Sequence, residues 1–233
     1  MIPGINSGIL GAFRRRGITQ TDNRTAYDST SFSNKTYNSV NFGTNTPGSF
    51  VLIIAIHGDT NANPGTTPTC TMNGTSATRY EPHSTGDNTS GNDATGSVIF
   101  IAQPSANGDV VVNWATSTTP VAITVFRVAG YSATPSSTHG GSASTGDTTG
   151  SASFNIAAGG AVVGASGSGQ DNTARTWSNL TQRLEENFGG ANNRRSIAWN
   201  VNMAANASLT ISTSPYSTAQ GSSTWSAVVL TPA

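Results

Sequence analysis

Charge is scarce in this chain. Of 233 residues only 11 are Lys or Arg and 11 are Asp or Glu, and a single lysine, Lys35, stands beside ten arginines. Long exposed helices and coiled coils draw far more heavily on Glu, Lys, Ala and Leu, and a nucleic-acid scaffold needs an excess of cations, so these classes are excluded. Cysteine is nearly absent. Cys70 is alone, which rules out an intrachain disulfide and any four-cysteine or mixed Cys/His zinc framework. Stability must then come from core packing and backbone ladders. No segment approaches the roughly 18 apolar residues that a membrane-spanning helix requires. The opening MIPGINSGILGAFRRRG carries its basic cluster after its apolar residues. It has no apolar core of about 7 to 15 residues and does not read as a secretory signal.

What is abundant is small and polar. There are 30 Ser, 34 Thr, 22 Asn and 26 Gly, together 112 residues and nearly half the chain. Disorder would go with high net charge or with a lack of β-branched and aromatic residues. Here the net charge is zero and 35% of residues are hydrophobic, gathered into short runs such as FVLIIAI at 50–56. The chain therefore folds, as β-structure. The six N-x-S/T sequons, at Asn23, Asn34, Asn73, Asn88, Asn179 and Asn206, match the chance number of about six for this composition and give no sign of glycosylation.

From Gly48 onward, runs rich in Val, Ile, Phe, Tyr and Trp recur between Gly, Pro, Asn and Asp. They fall at 50–57, 69–72, 75–80, 97–102, 109–115, 121–131, 151–157, 160–165, 195–203, 207–213 and 224–230. Short strands at such intervals predict an all-β, antiparallel sandwich of the jelly-roll kind. Asn73-Gly74 is the best hairpin signal, because both central residues of a type I′ turn need positive φ. FVLIIAI is apolar on both faces and belongs in the middle of a sheet. Ile197, Trp199, Val201 and Met203 alternate with Ala198, Asn200 and Asn202, the pattern of a strand with one wet face. Within 177–188, Trp177, Leu180, Leu184 and Phe188 have helical spacing, while Leu180, Gln182 and Leu184 would line one face of a strand. The β context favours the strand. The tracts 58–68, 84–96 and 132–150 read as long polar loops, where binding commonly resides.

Residues 1–46 precede this pattern and read as an N-terminal arm and lead-in, with the sandwich over 47–233. The arm's apolar residues Ile2, Ile5, Ile9, Leu10 and Phe13 and the cluster Arg14, Arg15 and Arg16 are the expected partner-binding residues. Charge is uneven: residues 1–36 carry a balance of +3, residues 37–172 of −5 and the remainder of +2. A neutral protein with a basic leader fits docking onto another protein surface. Three consecutive arginines are too few for a nucleic-acid footprint, so carboxylates of a partner are the better match.

Chemistry is hard to find. There is no G-x-S-x-G, and the nearest approach, GASGS at 164–168, lacks the last glycine. Three glutamates, Glu81, Glu185 and Glu186, and eight aspartates leave few carboxylate pairs for a glycosidase. Asp59, Asn61 and Asn63 begin like a calcium loop, but Pro64 interrupts it and its twelfth position is Cys70, so an Asx-rich turn is the reading. No phosphate-binding glycine motif occurs. The chain is expected to be no enzyme, with no catalytic residues, no metal and no cofactor. Among the aromatic candidates Trp114, Tyr131, Trp177 and Trp225, Tyr131 and Trp177 are kept as glycan contacts, since planar rings stack on sugars.

The runs GSFVLIIAIHGDTNA (48–62), CTMNGTSATR (70–79), VVNWATSTTPVAITVFRVAGY (111–131), FNIAAGGAVVGASGSG (154–169) and STWSAVVLTPA (223–233) resemble the jelly-roll sandwich modules in virion proteins of tailed bacteriophages and in related bacterial surface proteins. The resemblance rests on strand order and spacing over residues 47–233. It implies a structural or adsorption role in a virion assembled in the host cytoplasm, as a capsid decoration, head-fibre or tail-associated subunit. The implied partners are other virion proteins, met through the arm, and further copies of the chain, a trimer being the first candidate, with neither nucleic acid nor membrane bound. The alternative is a carbohydrate-binding or adhesion module contacting host surface glycans.

Overall fold

Seven consecutive apolar side chains, Phe50 to Ile56, are each 1% exposed or less. A strand can bury both of its faces only when its sheet is covered on both sides. The computed structural model achieves this with four sheets in four layers, and it describes residues 15–26, 32–60, 67–84, 94–118, 120–143, 150–169, 174–189, 193–214 and 222–233.

Among the described residues there are seventeen strands and no helix. The first nine are β1 (Gly17–Ala26), β2 (Phe32–Val40), β3 (Phe50–Thr60), β4 (Thr69–Met72), β5 (Thr75–Ser76), β6 (Thr78–Ser84), β7 (Ala94–Ala102), β8 (Gly108–Thr118) and β9 (Val121–Ala129). The others are β10 (Ser137–Ala143), β11 (Ser151–Ile156), β12 (Gly160–Ser168), β13 (Trp177–Ser178), β14 (Gln182–Asn187), β15 (Arg194–Met203), β16 (Asn206–Thr213) and β17 (Ser223–Leu230). An outer sheet β2-β8-β4-β5 covers an inner sheet β1-β9-β3-β7-β6. A second inner sheet, β10-β17-β12-β15-β14, lies against the first and is covered by the outer sheet β11-β16-β13.

Three cores fill the gaps between the layers. Val51, Ile53, Phe100 and Val125 meet Tyr37, Met72, Val112 and Trp114 of the first outer sheet. Leu52, Ile54, Phe126 and Val128 meet Val163, Ile197, Val228 and Leu230 between the inner sheets. Val162, Ala198, Ala227 and Val229 meet Phe154, Ile156 and Ile211 of the second outer sheet. Each such large side chain contributes about 1.5–3 kcal/mol on burial.

The strand order repeats. Replacing β1, β9, β3, β7 and β6 by β10, β17, β12, β15 and β14 turns one inner sheet into the other, and β2-β8-β4 becomes β11-β16-β13. The chain is two copies of one sandwich, placed with their five-stranded sheets face to face. The expectation of a single sandwich over 47–233 is corrected to this pair, and the sequence hid it because equivalent strands share little beyond their apolar positions.

Expected strands reappear with near-matching bounds, but 177–188 is two strands, β13 and β14, and the turn between them, with Asn179 at φ of 60°, sends Leu180 to the outer core and Leu184 to the central one, so the expected common face is not formed. Asn73 and Gly74 turn the β4–β5 hairpin with φ of 47° and 76°, the pair of positive values that type I′ demands. Three strands were not foreseen. The first and second, β1 and β2, lie inside the 1–46 segment read as arm, and β10 lies inside the 132–150 loop tract. β1 and β10 are edge strands whose outward neighbours are solvent, so neither carries an alternating apolar pattern. β1 is held instead by its ladder to β9, Gly17 opposite Ala129 through Ala26 opposite Val121, with a bulge between Gln20 and Asp22. β2 buries only Tyr37 and Val40 among its described side chains.

The wet face expected of 195–203 is only half there. Ala198 is buried in the outer core, and only beyond it are Asn200 and Asn202 partly or fully exposed. Asn202 takes φ of 52°, which breaks the alternation and sends Met203 to the outer core while Ile197, Trp199 and Val201 stay on the central one.

Candidate functional site

The topology sorts most of the connections by length. Links β1–β2, β3–β4, β6–β7 and β8–β9, and their equivalents β10–β11, β12–β13, β14–β15 and β16–β17, leave from one end of the strands, and all but the short β8–β9 link are long. The tightest turns, among them β4–β5, β11–β12 and β15–β16, leave from the other, the short-turn end, together with the connections 41–49 and 130–136. Both copies point the same way, since Gly58 at the end of β3 abuts Asn193 at the start of β15, while Arg16 at the start of β1 lies over Gly159, beside Pro232. Most of the long links therefore share one end. Asp28, Asp87, Asp93, Asp147 and Asp171 belong to segments of these links that lie outside the described residues, as do Asn61, Asn63 and the side chains of Asp59 and His83. The chain's described termini are at the opposite end, where Pro232 bridges to Tyr131 and the Ala233 N–H donates to the Gly130 carbonyl at 3.1 Å.

The expected arm contacts Ile2, Ile5, Ile9, Leu10, Phe13 and Arg14 lie outside the described residues. Arg15 and Arg16 are exposed at the short-turn end. Of the two expected glycan contacts, Tyr131 is buried and Trp177 is half-buried. Tyr131 is 1% exposed, and its hydroxyl accepts the Asn202 N–H at 3.2 Å. Trp177 lies flat against Gly164, where a Cβ would come within 2.7 Å of its ring, and donates its Nε1–H to Ser196 Oγ at 2.8 Å. Trp114 and Trp225 are core residues. Trp199, like Trp177 and Tyr80, reaches the surface in part, set edge-on to Phe126 at 5.1 Å with the Arg183 guanidinium over its ring at 5.5 Å.

Polar groups concentrate where the inner sheets meet. Arg195, 1% exposed, bonds the Glu186 carboxylate and the Asn23 Oδ1, and Asn23 in turn donates to Glu186 at 3.2 Å and accepts from Thr124 Oγ1 at 2.9 Å. Burial pulls the Arg195 guanidinium below its ordinary value while Glu186 works against that fall. This group ties β1 to β14. Its counterpart in the repeat is Thr138, which donates to the Glu81 carboxylate and ties β10 to β6. Ser97 and Ser226 share a bond of 2.7 Å beside it. These are bonds between layers, and their arrangement is that of a structural seam.

Buried titratable groups of the first core include His57 and Cys70. His57 is fully buried, edge-on to Trp114 at 4.8 Å, with neither ring nitrogen hydrogen-bonded, and burial pushes its pKa down to about 3. Cys70 is 4% exposed, and burial pushes its thiol up to about 12. A maleimide or disulfide reagent at pH 8 is expected to leave the native thiol unmodified and to label one thiol per chain in denaturant. Rapid labelling of the folded chain would contradict this placement.

Among the described residues no three His, Cys, Asp or Glu side chains converge to hold a metal, and no helix is long and apolar enough to cross a membrane. Comparison with family models, with curated proteins and with solved structures finds no match to this chain.

Proposed function

We propose that this protein is a non-enzymatic structural component of a bacteriophage virion, a decoration, fibre or tail-associated subunit attached through its N-terminal end. The observation that carries this reading is the polarity of the molecule. Both described termini and the exposed Arg15 and Arg16 stand at one end, and most of the long Ser/Thr/Asn/Gly links leave from the other. Attachment and display are thereby separated by the length of the strands, as a surface subunit requires. The strand order of each half supports the reading too. Numbering eight strands per half, the inner sheet runs 1-8-3-6 and the outer 2-7-4, the jelly-roll order. In the first half the fifth position is shared, β5 extending the outer sheet and β6 the inner. The reading includes self-association, most simply as a trimer, with the other virion proteins as partners.

The test is a truncation. Removing residues 2–14 spares β1, whereas a cut at 30 would strip the ladder to β9 and expose Ile18 and its neighbours. The shortened chain is expected to keep its circular dichroism and melting temperature and to be absent from assembled particles. Normal incorporation of the folded, shortened chain would sink the proposal.

A further inference from the structure

At the short-turn end, four adjoining hollows of about 400–500 Å³ run together into one trough. Arg15 and Ala129 join the first to the second, Thr46 and Pro47 the second to the third, and Thr19 and Arg127 the first to the fourth. The floor is the end of β9 and the start of β1. One wall is the 43–49 turn, and Gln103 and Ser105 close the far end.

Among the described residues, three guanidinium groups line this trough and no carboxylate does. Arg15 and Arg16 stand exposed at its mouth. Arg127 is the unusual one: only 7% exposed, it projects from a central strand position with no acidic partner. Its Nε donates to the Phe42 carbonyl at 2.8 Å, but its Nη groups reach only Ser49 Oγ at 3.5 Å and the Gly43 carbonyl at 3.4 Å. A desolvated cation served by neutral oxygens alone retains unfilled donors and gains most from an anionic acceptor brought beside it. The other lining groups are Thr and Ser hydroxyls and the Asn45 and Gln103 amides, which suit a peptide main chain.

We propose that this trough binds an extended, carboxylate-bearing peptide segment of a partner protein, with Arg127 meeting a carboxylate within the trough and Arg15 and Arg16 steering and clamping a second. The hollows adjoin one another beside the 43–49 turn, which leaves room for several residues of an extended chain, and three cations match two or three carboxylates. A nucleic acid or an anionic membrane needs a broader basic face than this neutral chain offers. The proposal rests on the reading of this end as the attachment end and names the chemistry of what it attaches to.

The test uses the full chain and a fluorescein-labelled peptide alternating glutamate and serine, followed by anisotropy. Saturable binding is expected, at least about tenfold weaker for the Arg15→Glu/Arg16→Glu double variant, and weakening as ionic strength passes about 0.15 M, where charges beyond roughly 8 Å are screened. Both substitutions are at exposed sites, and a melting curve checks that the fold is kept. Arg127→Met is the second variant, expected to lose binding while Arg15 and Arg16 remain. No saturable binding, or binding unchanged in the double variant, overturns the proposal. So does equal or tighter binding of a single-stranded oligonucleotide or of phosphatidylserine vesicles, or binding that emerges only once residues 2–14 are removed, which would make the trough the chain's own. Particle incorporation is a separate readout, so the failure of the trough and the failure of the virion reading give different results.

Discussion

Phe126→Ala is expected to lower the stability of the whole chain by about 3–5 kcal/mol, the range for removing a fully buried aromatic side chain. Phe126 is 0% exposed in the central core, edge-on to Trp199 across the gap between the inner sheets. That core is shared. Phe50, Leu52, Ile54 and Ile56 from one half and Val163, Ala165, Ile197 and Val228 from the other have no cover except each other. Neither half can lose its partner without exposing a whole sheet face, so both should unfold in one step. Trp114 reports on the first half and Trp177, Trp199 and Trp225 on the second. Urea titrations of Phe126→Ala followed by fluorescence and by far-ultraviolet circular dichroism should give one coincident transition, shifted to lower denaturant. A biphasic curve in which one half keeps its midpoint would show that the two sandwiches are energetically separate.

Acidification is expected to destabilise the fold before the carboxylates begin to protonate, through His57. An unfolded chain binds a proton at this imidazole near pH 6.5, whereas the folded chain, where burial holds the pKa at about 3, does not. The stability due to this difference is fully present above pH 6.5 and is lost at about 1.4 kcal/mol per pH unit as the pH falls, roughly 2 kcal/mol by pH 5. Below that the loss continues towards pH 3 and is joined by Asp22. Burial alone would raise the Asp22 carboxyl, but the Arg24 guanidinium and the Asn41 and Asn23 N–H groups outweigh it and hold it below the usual range. That stability too is lost on acidification, in a lower window. His57→Gln, which cannot titrate, should flatten the dependence between pH 6.5 and 5 and leave the lower limb in place. An unchanged slope in the variant would mean that His57 is not the buried neutral group described here.

Much of the core was legible along the chain. FVLIIAI announced a strand covered on both sides, Asn73-Gly74 announced its hairpin, and the apolar runs marked the central strands to within a few residues. Each of these signals is local. A strand that buries both faces must be apolar throughout, and a turn with two positive φ values needs residues that tolerate them. The edge strands escaped because their requirement is not local. GITQTDNRTA and STHGGSA are strands because β9 and β17 offer them a ladder, and Gly141 is glycine because the Trp225 indole lies where a Cβ would be. Read alone, both are loop-like.

The candidate site followed the same division. Arg15 and Arg16 stood out by composition, but nothing local singles out Arg127 in VFRVAG. Its role emerges only when the 43–49 turn folds over the end of β9. Nothing local in the chain records that Asn202 bonds the Tyr131 hydroxyl or that the Trp177 ring packs on Gly164.

The sequence by itself determined that this chain is all-β, held without disulfides, and poor in charge because its Ser, Thr, Asn and Gly line strand faces and links. Tertiary structure alone decided that the strands form two like sandwiches rather than one, which rings are buried, and that the arginines share one end. Local pattern dictates which residues must leave water, whereas the choice of what covers them is made between strands far apart in the chain.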